Sequence, residues 1–385
     1  MPTWPASCVK PASANQRERM VKMRLHEIDL IPSAGDSVES QAAAYGRRFE
    51  SEIRRSVKLY QSFFTSIGIT KTTVDEIAES CFQAINEWYP RLAVEIRTLA
   101  TTVGLDIVDL MAVVARTEVL VADPLHERSE CSTAVVSGPD QRLRSIQTWD
   151  WHEHLVPAAL IRKHRSAGGI DVATFTEFGA PAKIGINSAG LGLNFNILHH
   201  RSDHAGGGVP VHAIARRILD EATTVEEAIS VGAGAIPSAS TALTVSDQLG
   251  SAASIEVSPA ASTAVRSKTG GNLFHTNHFI DTTLSEGENT TDISTTYARL
   301  GHLESVFHKV SDAGPVAAEM AACLARPAIG SLASPVCMVP DTSLPTCEQW
   351  KTLMTVAMNP SGRIMACFAG APDGWSSGEI VYVSI

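Results

Sequence analysis

Residues 131–155 read CSTAVVSGPDQRLRSIQTWDWHEHL. Val135 and Val136 close one β-rich run, Ser137-Gly138-Pro139-Asp140 supplies turn chemistry, and Leu143, Ile146 and Thr148 resume at roughly alternate spacing. That pattern predicts a β-hairpin. Centring the turn between Gly138 and Pro139 pairs Cys131 with Ile146 and leaves Asp150 just past the Cys131 end, within reach of the Cys131 backbone nitrogen. A thiol opens a strand, and a carboxylate lies beside it.

Strand texture continues downstream. Residues 183–187 and 191–198 flank Ser188-Ala189-Gly190, and in the second run Leu191, Leu193, Phe195 and Ile197 alternate with Gly192, Asn194 and Asn196. One face of that strand is therefore polar. Helices are predicted over 210–222 and 224–232, the second with a Thr224/Glu227 capping box. Strands follow over 239–247, 252–257, 262–267 and 272–279, then a helical span over 294–325, then strands over 352–358, 363–369 and 379–385. Upstream, Ala44, Phe49, Ile53, Val57, Tyr60 and Phe64 recur at helical spacing over 41–64. Thr73 with Glu76 predicts a capping box for a second helix that ends before Pro90, and two more helical runs lie over 91–103 and 106–117. Strand groups separated by paired helices suit an α+β layered sandwich. The expected organisation is a disordered extension over 1–40, a helical part over 41–130 and a strand-rich part over 131–385, forming one catalytic domain.

The chemistry turns on a base for Cys131, and no His follows it closely enough for a local Cys/His pair. Cutting the chain before Cys131 frees an α-amine, whose ordinary pKa of about 7.7–8.0 lets it take the thiol proton within the same residue. Asn277 sits in a predicted strand where packing favours apolar side chains, which implies a hydrogen-bonding duty.

Five motifs in order carry a family likeness: Cys131-Ser132-Thr133, Trp149-Asp150, the run from Ile184 to His200, Gly208-Val209-Pro210 before a helix, and His275-Thr276-Asn277-His278. Together they resemble, over residues 40–385, the isopenicillin N acyltransferase family of self-processing N-terminal-nucleophile acyltransferases. The resemblance implies a four-layer αββα sandwich made as one chain that cuts itself between Glu130 and Cys131, the two fragments staying together. It implies that Cys131 is the nucleophile, Asp150 the acid near its amine and Asn277 the side-chain donor to the oxyanion. Thr133, Trp149, Asn194 and Asn196 fall in matching segments around substrate and oxyanion. The implied reaction, placed in secondary metabolism, moves an acyl group from an amide or an acyl-coenzyme A through a Cys131 thioester to a small amine or to water. Acyl-coenzyme A would be a co-substrate, and no cofactor is held.

The chain departs from the family at two places. Glu130 stands where the family's best-known members have Gly, a residue that tolerates backbone conformations a β-carbon resists. Glu348-Gln349 stands where the penicillin enzyme has a Ser-Arg pair, so a cationic contact to a substrate carboxylate is missing. Two readings stay open beside the acyltransferase: a plain N-acyl amidohydrolase and a non-processed binding protein.

With 385 residues, 44% hydrophobic and 19% charged, the chain can bury a large core. Its formal charge of -10 argues against nucleic-acid or anionic-membrane partners, which need concentrated Lys and Arg. The seven cysteines are odd in number and lack a CxxC pair, which fits reduced thiols. His152, His154, His199, His200 and His204 form no HExxH, and no metal site is expected. Gly206-Gly207-Gly208 lacks a phosphate-loop pattern and reads as a flexible lid or a turn. The first 40 residues lack an apolar signal core, and Val383-Ser384-Ile385 is no peroxisomal address, so a cytoplasmic location is expected.

Overall fold

Alternation of apolar residues builds two β-sheets that face one another. The computed structural model describes residues 23–30, 37–123, 131–138, 140, 142–267, 271–290, 295–307 and 317–385. In chain order the strands are β1 Arg24–Leu30, β2 Ser132–Ser137, β3 Leu143–Trp151, β4 Ala158–Arg165, β5 Asp171–Glu177, β6 Ile184–Asn187, β7 Leu191–Ile197, β8 Thr241–Asp247, β9 Ala252–Val257, β10 Ser262–Arg266, β11 Leu273–His275, β12 Lys351–Asn359, β13 Ile364–Phe368 and β14 Ile380–Ser384. One sheet runs β1-β4-β5-β6-β7-β8-β9-β10 and the other β11-β2-β3-β12-β13-β14. Every neighbouring pair is antiparallel except β1 and β4.

Helices α1 Val38–Arg48, α2 Glu50–Ser66, α3 Lys71–Trp88, α4 Pro90–Thr102, α5 Ile107–Val114 and α6 Arg116–Leu120 precede the sandwich. Helices α7 Val211–Glu221 and α8 Val225–Ala233 pack on the outer face of the first sheet, and α9 Thr296–Phe307 with α10 Ala317–Leu324 on that of the second. β2 and β3 touch β7 and β8 across the middle. The order of layers is α, β, β, α, the predicted α+β sandwich. Among the described residues no helix is long and apolar enough to cross a membrane.

Each face of β7 has its own neighbour. Phe195 lies on the apolar face and stacks on His212 of α7 at 4.9 Å, whereas Asn196 on the polar face reaches the other sheet. The space between the sheets is accordingly polar where the two meet near Cys131. Helix α7 approaches β6 closely because Gly185 has no side chain: a β-carbon there would lie 2.6 Å from the Ala173 carbonyl oxygen and 2.9 Å from Leu219 of α7. Gly185→Val is expected to lower the thermal midpoint, costing about 1–3 kcal/mol of overpacking, which a calorimetric scan checks.

Helix α4 docks through buried ion pairs. Glu95 of α4 receives Arg162 of β4 at 2.6 Å and Arg216 of α7 at 2.9 Å, and Asp220 receives Arg216 at 2.8 Å and His164 at 2.7 Å.

Several expectations need correction. The hairpin register places Ala134 opposite Ile146 and Ser132 opposite Thr148, three residues from the Cys131–Ile146 pairing expected. The cause is a longer connection, closed by the Gly138 N–H donating to the Arg142 carbonyl at 3.1 Å. The extension over 1–40 is not all without structure, because Arg24–Leu30 pairs in parallel with β4 and α1 starts at Val38. The cap of α3 is Thr70, whose hydroxyl accepts from Thr73 N–H at 3.1 Å, not Thr73 itself. Strands β4 and β5 were not predicted, and β11 stops at His275, so Asn277 and His278 lie beyond its end.

Candidate functional site

Cys131 is 4% exposed and sits one residue before β2 begins. Side chains hold both of its main-chain groups. Its N–H donates to Asn277 Oδ1 at 2.7 Å. Its carbonyl accepts from Asn196 Nδ2 at 3.0 Å and from Arg299 Nη1 at 2.7 Å. The Arg299 fork also reaches Ser132 Oγ and Asn277 Oδ1, both at 2.9 Å. Thr133 Oγ1 donates to Asn196 Oδ1 at 2.7 Å, which orients the Asn196 amide toward Cys131.

These partners settle which way Asn277 points. Its Oδ1 accepts from two donors, so a flipped amide would set NH against NH twice. Its Nδ2 donates to the Ile197 carbonyl at 2.8 Å. An amide nitrogen carries two hydrogens, and Ile197 takes one of them. The main chain of Asn277 is tied by Thr296 Oγ1 of α9 at 2.8 Å.

Asp150 is buried, but the nitrogen of Cys131 goes to Asn277 and not to the Asp150 carboxylate, as the hairpin reading expected. The longer hairpin connection sets the Asp150 main chain beside the sulfur instead. Burial pushes the Cys131 thiol up to about 12, the Asp150 charge adds to the rise, and the hydrogen bond from the Asp150 main chain opposes it together with Lys183 and Arg299. The thiol is therefore protonated at neutral pH, and its use as a nucleophile requires a proton acceptor.

A cavity of about 10 Å³ opens beside Cys131, the room of a single water. Trp149, Trp151, Phe195 and Trp350 give it aromatic walls, while Asp150, Arg116 and Lys183 bring charge to it. The Lys183 ammonium lies 3.8 Å from the centre of the Trp149 ring and 2.9 Å from Glu177 Oε2. Arg116 reaches the same oxygen at 2.7 Å, and the Tyr60 hydroxyl donates to Oε1. Burial alone would raise Glu177, but the Arg116 and Lys183 cations hold it below the usual carboxylate range. Replacing Glu177 with Ala strands the buried Arg116 guanidinium, so a loss of about 3–5 kcal/mol in unfolding free energy is expected, read by urea titration.

Cys131, Thr133, Trp149, Asp150, Asn196 and Asn277 thus come together. Asn194 lies on the same face of β7, but its side-chain amide meets no hydrogen-bonding partner among the described residues. Glu130 lies outside the described residues. Arg299, Lys183, Arg116 and Glu177 were not foreseen. Each is a single charged residue with no motif around it, and the local signal was at most a charge in an otherwise apolar run, as in Ala182-Lys183-Ile184.

The grouped histidines separate: His152 and His154 pack around Phe63, and His200 packs edge-on to Phe279. Among the described residues no group of three or more His, Cys, Asp or Glu is placed to hold a metal ion.

Residues 136–372, more than half of the chain, match the family described as acyl-coenzyme A:6-aminopenicillanic acid acyl-transferase. The chain is 25% identical over 284 residues to the 40 kDa form of acyl-coenzyme A:6-aminopenicillanic-acid-acyltransferase of Emericella nidulans, covering 70% of this chain and 75% of that protein. Among solved structures it is similar to a mutant conjugated bile acid hydrolase of Clostridium perfringens, with 15% identity, a TM-score of 0.45 and coverage of 66% of this chain and 92% of that one. It is also similar to penicillin V acylase of Agrobacterium tumefaciens, with 14% identity, a TM-score of 0.37 and coverage of 66% and 86%.

Proposed function

The chain belongs to the acyl-coenzyme A:6-aminopenicillanic acid acyl-transferase family, and from that premise we propose that it is a cysteine N-terminal-nucleophile enzyme, activated by its own cleavage before Cys131. The observation that carries this reading is the hold on Cys131. A cysteine that serves only as a small hydrophobe needs no side chains on its main chain, yet three buried polar residues grip its N–H and carbonyl.

In turnover the freed Cys131 amine takes the thiol proton. The thiolate then attacks the acyl carbon of an amide or an acyl-coenzyme A, displacing an amine or a thiol and leaving a thioester on Cys131. Asn277 Oδ1 keeps the amine beside the sulfur, and the second Nδ2 hydrogen serves the oxyanion with a main-chain N–H. Asp150 steadies the amine once it carries a proton. An acceptor amine, or water, then releases the acyl group and returns the proton.

The aromatic walls suit an apolar acyl chain, and a chain of any length requires them to part beyond the room of one water. Gln349 and Glu348 immediately precede Trp350 of that wall, and the Gln349 side chain is committed to the Leu344 carbonyl at 2.8 Å. A substrate without a carboxylate at that end fits better than a penicillin nucleus. The compartment proposed is the cytoplasm.

Acid-quenched mixtures of the purified protein with a panel of acyl-coenzyme A thioesters and N-acyl amines test the reading. The expected result is an acyl adduct on the Cys131 peptide that an added amine discharges as a new amide. Adducts on another residue, or none with any donor, would overturn it. The ratio of amide to free acid separates transferase from hydrolase.

A further inference from the structure

The proposed turnover uses an α-amine that does not exist until the chain is cut. Before that, the Cys131 nitrogen is an amide, cannot take a proton, and donates its hydrogen to Asn277. The first step therefore needs another acceptor, and the cavity beside the thiol holds one that turnover leaves unused. Resting on the self-cleavage reading, we propose that Lys183 takes the Cys131 thiol proton across their shared cavity in the uncut chain and so starts self-cleavage.

The placement of Lys183 supports this role. It is 1% exposed, stands immediately before β6, and lines the same cavity as Cys131. Around it are Glu177 of β5, Arg116 of α6, Tyr60 of α2 and His212 of α7, with Cys131 and Asp150 across the cavity. One carboxylate, Glu177, is shared between two cations at 2.7 and 2.9 Å. Arg116 does not give up its proton, so Lys183 is the member of this pair that can. Burial, then the Arg116 charge, bring Lys183 down to about 7 against the pull of Glu177. A neutral amine is thus present at neutral pH.

Asp150 is the competing acceptor. Moving the proton to Asp150 would leave a thiolate beside a neutral acid, whereas moving it to Lys183 sets an ammonium against the thiolate, and the two attract.

The step balances. The S–H bond breaks and its proton goes to the Lys183 amine; the thiolate attacks the carbonyl carbon of residue 130. As the C–N bond to Cys131 breaks, the Lys183 ammonium returns the proton to the departing nitrogen. Water then hydrolyses the thioester to a carboxylic acid and the thiol. Lys183 ends as it began.

The test follows full-length chains made by pulse-labelled cell-free translation and chased between pH 6 and 10, with fragments read on gels. Wild type is expected to cut with a rate that rises through about pH 7 and then levels, following the neutral fraction of Lys183. Lys183→Gln is expected to cut at least about 100-fold more slowly at pH 7 and to recover steadily toward pH 10, as hydroxide raises the small thiolate fraction of a thiol that titrates at about 12. That recovery also shows the variant is folded. Lys183→Arg keeps the charge but cannot accept the proton, so it is expected to stay slow at pH 7.

Wild-type speed in Lys183→Gln at pH 7 would overturn the assignment and leave self-cleavage standing. Wild-type speed in Lys183→Arg would reduce Lys183 to a fixed charge, and a Lys183→Gln chain whole even at pH 10 would make it structural; either defeats the proposal. A wild-type chain that never cuts overturns the parent reading, and this one with it.

Discussion

Purified wild-type protein is expected as two fragments, residues 1–130 and 131–385, while Cys131→Ala stays a single 41.0 kDa chain. In proportion to length the fragments are roughly 14 and 27 kDa, far enough apart for intact-mass measurement to leave no ambiguity. The contrast is expected to be complete, because alanine removes the only nucleophilic atom of the residue and keeps its main chain. The grip of Asn277, Asn196 and Arg299 on that main chain is retained, so the variant folds around the same site. Removing one buried sulfur is a small change of volume, costing on the order of 1 kcal/mol. Glu130, where the resemblance noted above puts Gly in the family's best-known members, is expected to affect only the speed, because a β-carbon restricts the backbone. Cleavage over hours instead of minutes would still meet the expectation. A single 41.0 kDa species in both proteins would leave the non-processed binding protein as the reading that survives.

How far the sequence could be read depended on the range over which each signal acts. Period-two alternation in Leu191–Ile197 and the capping box at Thr224 are local, and both elements form where predicted. Thr224 Oγ1 accepts from Glu227 N–H at 3.3 Å, and Glu227 Oε2 accepts from Thr223 N–H at 2.7 Å, one residue earlier than the box expects. Strand β4 was illegible for the opposite reason. Its Arg162, Lys163, His164 and Arg165 look like a solvated run, yet Arg162 and His164 are buried against Glu95 and Asp220, more than fifty residues away in either direction. The site divides the same way. Cys131, Asp150 and Asn277 stand in motifs, whereas Arg299 and Lys183 acquire meaning only when α9 and β6 bring them to Cys131. Register was the subtlest case, since the turn residues were recognised and their number in the loop was not.

Arg299 and Asn277 are expected to behave as one unit. Arg299 is fully buried and bridges the Cys131 carbonyl and Asn277 Oδ1 with two nitrogens of one planar fork. Arg299→Leu leaves the carbonyl with Asn196 and leaves Asn277 Oδ1 with the Cys131 nitrogen, so both atoms stay partnered but lose the strut that fixes their separation. A displacement of about 1 Å at a reacting centre costs about 100-fold, and that is the slowing expected for fragment formation and for acyl transfer. Lysine is a poor substitute, because a compact ammonium lacks the fork geometry; Arg299→Lys is expected to recover little. Asn277→Ala removes both the acceptor that holds the nitrogen and an oxyanion donor worth about 2.7–4 kcal/mol, so about 100- to 1,000-fold is expected. Because Arg299 acts on the reaction largely through Asn277, the double variant should be scarcely slower than Asn277→Ala alone, and the coupling energy in a double-mutant cycle should approach the whole effect of Arg299→Leu. Independent, multiplying losses would mean that Arg299 works on the Cys131 carbonyl by itself. A drop in kcat with KM nearly unchanged is the accompanying signature, since Arg299 contacts Cys131, Ser132, Thr295 and Asn277 and is not among the residues lining the cavity. If KM rises instead while kcat holds, Arg299 belongs to substrate binding and the strut assignment fails.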